Sequence, residues 1–523
     1  KQPREVHPYN VGKIISLLKE KRAYFKEDMM KYYRFLSKTV SVVGSNDPEQ
    51  FVITKDADGS LIVHVQKKDS AGSVSATTYH RVFDHIITRE IRLYGLEGDD
   101  EFIIRGGDNA IQLRLIGGPG DDFFINEGTG GEVLVYDVEY ENNKIIGNPG
   151  IRNKISDDPL NNEYRQLGNN YNATIPWVAF ELTGEGGLFV GPTLEIRTAG
   201  FRKDPYASVH YLYATRALSS SSYHLRYDAD FFKVRKNTDL LIRTDATLPT
   251  VRTYFFGLGN NTFNDPIRDT DPSYYIAQYS RVDMSLMARH AVTKWMNIKW
   301  GPVAQYFKLL NNRNRGNYIK TLYPVSSQKG YLYNGLFYGG GEINAQVNTR
   351  NHRVFTTQGI HLNIYSRGLR NFSNSSNLRQ AGGSVSFFSD FLLKRIIILA
   401  TSFGADKNFG QFEFPQAQYL GFRQNLRGYR FQRFAGESRA YNNSELRINF
   451  GTANFYFFKG LTGLVAFHDI GRVWAKGETS NTLHRGYGAG LWVAPFDKLV
   501  FITSVASSKE EKAWLQFTFG FQF

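Results

Sequence analysis

The C-terminal end of the chain constrains its fold most. Leu515, Phe517, Phe519, Phe521 and Phe523 occupy alternate positions, with Gln516, Thr518, Gly520 and Gln522 between them. A period of two puts the two sets on opposite faces of one strand, so one face is apolar and mostly aromatic. The pattern recurs upstream. Tyr223, Leu225, Tyr227, Ala229 and Phe231 alternate with His224, Arg226, Asp228 and Asp230, and Leu240, Ile242, Ala246 and Leu248 alternate with Arg243, Asp245 and Thr247. In water such faces need a second layer, and nothing else in the chain supplies one. A transmembrane barrel instead turns the apolar face to lipid and the charged face to its lumen.

Runs of this kind follow one another from Gly187 to the end, sixteen by count from 187–197 to 513–523, with 410–420 as the eleventh. An even count puts both barrel ends on one side, as in single-chain outer-membrane barrels. The expected class is all-β membrane, a 16-stranded antiparallel transmembrane barrel over 187–523. Composition agrees: 523 residues, 41% hydrophobic and 15% aromatic, are too apolar for disorder, yet no stretch nears the roughly 20 apolar residues of a spanning helix. Zero cysteines exclude disulfide frameworks, thiolate catalysis and cysteine-linked lipid. The net charge of +14 comes from dispersed basic residues without a recognition module, which argues against nucleic acid. Outer-membrane lipid and lipopolysaccharide phosphates are the expected counterparts.

Ahead of the barrel, apolar residues at three- and four-residue steps from Lys13 to Lys38 (Ile14, Leu17, Leu18, Phe25, Met29, Tyr32, Leu36) predict one amphipathic helix, so 1–40 reads as a helical connector. The start, Lys1-Gln-Pro-Arg, has neither Met nor an apolar targeting segment and reads as a mature or truncated product. Residues 41–140 read as a small β-domain. Glycines 95, 106, 117 and 128 open four eleven-residue segments there, each a turn followed by a short apolar strand. If two segments make one coil, the Gly95 and Gly117 loops stack. Those loops, Gly-Leu-Glu-Gly-Asp-Asp and Gly-Gly-Pro-Gly-Asp-Asp, carry Asp99, Asp100, Asp121 and Asp122 and resemble a calcium-binding glycine repeat, so Ca2+ is one reading; that Asp and Gly simply form the turns is the other. Apart from that Ca2+, no cofactor is expected. Residues 141–186, polar and irregular, read as a linker.

Between the eleventh and twelfth runs lies Phe422-Arg-Gln-Asn-Leu-Arg-Gly-Tyr-Arg-Phe-Gln-Arg-Phe-Ala-Gly-Glu-Ser, followed in order by Asn443-Ser-Glu-Leu-Arg, Phe467-His-Asp-Ile-Gly-Arg-Val-Trp and Gly486-Tyr-Gly-Ala-Gly-Leu; Tyr254-Phe-Phe-Gly-Leu-Gly-Asn follows the fourth run. This ordered set, over roughly the last 340 residues, resembles the BamA/TamA superfamily of outer-membrane assembly and secretion barrels. The resemblance implies a sixth loop folded into the lumen, with Arg427 paired to Glu445 and Asp469, Gly428 allowing the turn and Tyr429 against the lumen wall. The motif would either hold the loop inside or act on substrate directly. The resemblance also implies a weak seam between first and last strands, open to client strands or lipid, and Gly520 is compatible with a bend there. Phe519, Phe521 and Phe523 read as the C-terminal strand signal of such barrels.

The 1–180 region departs from the family's POTRA domains. Tyr32-Tyr-Arg-Phe-Leu, Val42-Val-Gly-Ser-Asn-Asp-Pro-Glu-Gln-Phe and Ile91-Arg-Leu-Tyr-Gly-Leu-Glu-Gly-Asp-Asp-Glu-Phe resemble the bridge in calcineurin-like phosphoesterase fusions with this barrel, but no phosphoesterase motif occurs in the chain. The function implied is insertion or translocation of proteins or lipids at the bacterial outer membrane, with the N-terminal region in the periplasm and client or accessory proteins as partners. No catalytic residue is assigned. An anchor for an upstream phosphoesterase-like domain and a passive pore are the alternatives.

Overall fold

Short alternating strands at a fixed 22-residue step build the N-terminal region into a coil. The computed structural model describes residues 7–69, 72–108, 110–129, 131–147, 150–164, 171–183, 186–262, 273–393, 395–496 and 499–523. They fall into two units, Lys1–Asn169 and Asn170–Phe523. In the first, a helix His7–Leu36 precedes two sheets, one of five strands and one of six. Glu90–Tyr94, Gln112–Ile116 and Val133–Tyr136 stack in parallel in one, Glu101–Gly106, Phe123–Asn126 and Lys144–Gly147 in the other. Glu90 pairs with Gln112 and Glu101 with Phe123, so each coil takes two eleven-residue segments. Phe51, Phe102 and Phe124, all buried, stack through the interior at 4.6 and 5.2 Å.

This coil runs past the expected boundary at 140. Lys144–Gly147 and Ile151–Asn153 add another turn, and Asn161 Nδ2 donates to the Asp137 carbonyl at 2.9 Å. The asparagines that make 141–164 look like linker satisfy backbone groups of the coil. Residues 165–170 of the expected linker lie outside the described residues.

The second unit is one sheet of sixteen antiparallel strands, each paired with the next. In order they are Ala173–Thr183, Gly187–Gly200, Lys203–Ala217, Tyr223–Arg235, Thr238–Tyr254, Ile276–Thr293, Met296–Leu309, Leu336–Asn348, Gly359–Asn371, Asn377–Leu393, Ile397–Gly410, Ser438–Asn454, Lys459–Trp474, His484–Pro495, Phe501–Ser508 and Trp514–Phe519. Among the described residues no helix is long and apolar enough to cross a membrane, and the strands do the crossing.

The count of sixteen agrees with the sequence, but its members differ at two places. The expected linker holds the first strand, Ala173–Thr183, which pairs along its whole length with the second. The expected eleventh run, 410–420, belongs to the sixth loop, where Gln418–Leu420 pairs with Phe434–Gly436. An alternating apolar stretch forms a strand wherever it finds a partner, and here that partner lies inside the lumen. Tyr254-Phe-Phe-Gly-Leu-Gly-Asn therefore follows the fifth strand.

The last strand also stops early. Phe517 and Phe519 are outward and exposed, but Gly520 takes a φ of +79°, and the chain turns inward. Phe521 then packs on Trp492 and Phe355, and Phe523 on Phe388. Both rings cover the buried Arg447 guanidinium, which is 3.9 Å from the Phe521 centroid. That cation–aromatic contact is the physical reason they leave the lipid face on which alternation placed them.

Candidate functional site: the sixth loop in the lumen

The sixth loop, 411–437, touches inward-facing residues of many strands. Gln416 donates to Gln305 on strand seven, Asn443 on strand twelve donates to the Asn425 carbonyl, and Arg427 reaches strands twelve and thirteen. One short loop meets so many strands only because the sheet curls around it. Loop and wall bury an apolar cluster including Phe255, Tyr279, Leu332, Phe414 and Tyr419.

At its centre, Arg427 forks onto Asp469, with Nε and Nη2 donating at 2.7 Å, while Nη1 pairs with Glu445. The Arg427 backbone N–H also donates to Asp469 at 2.9 Å, and Arg447 holds the other Glu445 oxygen at 2.6 Å. All four residues are buried. Two carboxylates therefore face two guanidiniums, and the bidentate geometry meets the demands of charges removed from water. The Phe467 ring lies 3.8 Å under the Arg427 guanidinium.

Gly428, at φ +85°, runs so close to the strand-fifteen backbone that a Cβ would stand 2.7 Å from the Ser507 carbonyl oxygen. Tyr429 packs edge-on against Phe434 and His484, which stack on each other at 3.5 Å.

A second latch was not assigned from the sequence. Asn260 Nδ2 donates to the Val473 carbonyl at 2.7 Å and its Oδ1 accepts the Val473 N–H, while Gly259 N–H donates to the Ala435 carbonyl of the sixth loop at 2.7 Å. Glu478 accepts from the Asn260 side chain at 2.9 Å. The Phe-Phe-Gly-Leu-Gly-Asn motif carried the signal, but its partners lie more than 170 residues downstream. Arg433, forked onto Glu510, ties the loop to the connection between the last two strands.

The aspartates of the N-terminal coil form a different arrangement. Glu49 N–H donates to Asp100, Asp100 N–H to Asp122, and Asp122 N–H to Asn143, each at 2.8 Å; Asp121 N–H donates to Asp99 at 2.9 Å. Each carboxyl thus caps the backbone of a neighbouring coil. Glycine stands five residues before each buried acid, in Gly44/Glu49, Gly95/Asp100 and Gly117/Asp122, because a Cβ there would collide with the carboxylate. Asp137 joins the row beside Asp122. The second oxygens of Asp100, Asp122 and Asp137 are buried without a hydrogen-bond partner. Burial pushes the Asp100 carboxyl up to about 8, and it raises Asp122 and Asp137 as well, which also repel one another. A proton on one member of that pair would join the two oxygens. Among the described residues no group of three or more acidic or histidine side chains is placed to hold a metal ion.

Residues 210–523, more than half of the chain, match the Omp85 superfamily domain. The chain belongs to the Omp85 superfamily of outer-membrane β-barrels. Among solved structures it is similar to BamA from Haemophilus ducreyi lacking POTRA domains 1–3, at 15% identity and a TM-score of 0.48 over 66% of this chain and 69% of that one. It is also similar to CdiB from Acinetobacter baumannii (13%, TM-score 0.40) and CdiB from Escherichia coli (13%, TM-score 0.42), spanning 59% and 61% of their length. No curated protein matches the chain.

Proposed function

We propose that this barrel inserts or translocates proteins at the outer membrane, with the first and last strands as the working edge and the N-terminal unit on the periplasmic side. The observation that carries the reading is the sheet order: strand one and strand sixteen stand at its two ends, and among the described residues no ladder joins them. Unpaired strand edges offer backbone donors and acceptors to an incoming strand. The last strand is short and turns away at Gly520, which leaves the first strand with more backbone than its neighbour can pair. The clamp of Arg427, Glu445 and Asp469 supports this by holding the sixth loop as an internal strut, so that the wall keeps its curvature without a closed ladder. An even strand number, with the long connections 255–275, 310–335 and 411–437 at the opposite end, favours periplasmic chain ends.

The absence of native cysteine makes the test direct. Cysteines paired between 175–181 of the first strand and 515–519 of the last are oxidised in proteoliposomes supplied with an unfolded outer-membrane client. Locking should stop client assembly, and reduction should restore it. Unchanged assembly with the crosslink complete would refute the reading and favour an anchoring role.

A further inference from the structure

Strands eight to fourteen sort charge by face. Their acids are Glu342, Asp390, Asp406, Glu445 and Asp469, and all five alternate onto the lumen side. Glu342 pairs with Arg367, Asp406 with Arg439, and Glu445 and Asp469 with Arg427; Asp390 is buried and accepts from Gln358. No outward position of these strands carries an acid, whereas Arg370, Arg379, Lys407 and Arg485 are outward and exposed, as is Lys476 just beyond strand thirteen. Among the described residues none of these five cations has an ion-pair partner. Every one of them lies at the sixth-loop end of its strand.

Beneath this rim the wall is hollow. Ala345, Ile364, Gly383, Ala405 and Ala440 are successive cross-strand partners from strand eight to strand twelve, so four of five strands present almost no side chain there. The result is an open apolar cavity of about 1180 Å³, with Trp474 at one margin and Lys407 and Lys476 at its rim. That exceeds the roughly 300–1,000 Å³ of drug-sized sites. A hollow on a lipid-facing wall is filled by lipid. Acyl chains suit its floor; Glu437 also lines the cavity, but the cations outnumber it along the rim, and a cationic rim calls for phosphate. The cations run from strand nine to strand fourteen, and five inter-strand steps of about 4.8 Å each make a span of roughly 24 Å, wider than one phosphate can serve.

We propose that this face binds a phosphorylated, multiply acylated glycolipid of the outer leaflet, with its acyl chains along the Ala/Gly hollow and its phosphates on Arg379, Lys407 and Lys476. The site lies on the outer wall, apart from the lumen clamp and the seam, and does not depend on the insertion reading. The test titrates the full chain in neutral detergent with three probes: diphosphorylated lipid A, the same lipid with both phosphates removed, and phosphatidylglycerol. Binding is read by tryptophan fluorescence and thermal shift. The diphosphorylated form should bind at least tenfold more tightly than either other probe. The combined variant Arg379→Gln, Lys407→Gln, Lys476→Gln should erase that preference, while still migrating as a folded barrel in unheated gels, and Ala405→Trp should weaken binding by filling the hollow. Equal binding of the three probes, preference for phosphatidylglycerol, or a triple variant that binds like the parent would overturn the proposal. If Ala405→Trp does not fold, the triple variant and the probe comparison still decide it.

Discussion

In the barrel, Glu445 and Asp469 are withdrawn from water against Arg427 and Arg447; in the N-terminal coil, Asp100, Asp122 and Asp137 are equally withdrawn, with no arginine or lysine paired to them among the described residues. The first arrangement spends its carboxylate oxygens on guanidinium forks. The second is pushed by burial toward the protonated form, with one oxygen of Asp100 and of Asp122 on a backbone N–H of the neighbouring coil and one of Asp137 on the Val138 N–H. A buried carboxyl tolerates either solution, but each fails to a different insult.

The largest effect should come from removing the cation that serves two acids. Arg427→Ala leaves Asp469 buried without a cation and should destabilise the barrel by about 3–5 kcal/mol. A lower guanidinium midpoint and loss of the heat-dependent gel shift would register it, and Arg427→Lys should recover little because an ammonium cannot make the fork. Next, Gly117→Val would drive a Cβ into Asp122 and Asp137, at a cost of about 1–3 kcal/mol from overpacking. Limited proteolysis should then nick the first unit while the barrel stays resistant. One substitution applied to both regions sharpens the comparison further. Asp469→Asn should cost about 1–3 kcal/mol by stripping Arg427 of a charge-assisted acceptor, whereas Asp122→Asn should be neutral or stabilising above pH 8, because its carbonyl still takes the Asp100 N–H. Equal losses at both sites would break the distinction.

A further effect is a pH dependence confined to the coil. Above about pH 4 the unfolded chain has released the Asp100 proton, while the folded coil retains it until about pH 8. The folded state therefore binds more protons across that window, and stability must fall as pH rises through it. Hydrogen exchange of the first unit in the full chain should accelerate from pH 5 to pH 8 beyond the intrinsic chemical trend, and Asp100→Asn should flatten that excess.

Much of this organisation is legible in the residues. Period-two alternation identifies the strands because lipid and lumen impose opposite demands on the two faces of one strand, and the 22-residue coil follows from glycines at 95, 106, 117 and 128. What alternation cannot supply is a partner. The stretch at 410–420 alternates as well as any wall strand yet pairs with Phe434–Gly436, and Ala173–Thr183, whose Phe180 faces outward and exposed, sits in a polar context that resembles linker. Phe521 and Phe523 continue the phenylalanine pattern and still turn inward, because Arg447 needs a cover.

The sequence by itself determined a membrane barrel with a basic loop and a glycine-stepped coil, since hydrophobic period and turn chemistry are local properties of the chain. Only the tertiary structure decided which strands bound the sheet, that Asn260 latches strand thirteen, that Asp100, Asp122 and Asp137 stand without cations, and that cations from strands nine to fourteen share one rim above a hollow. Each of these depends on which distant residues become neighbours, and register and chain curvature, rather than the local pattern, set those distances.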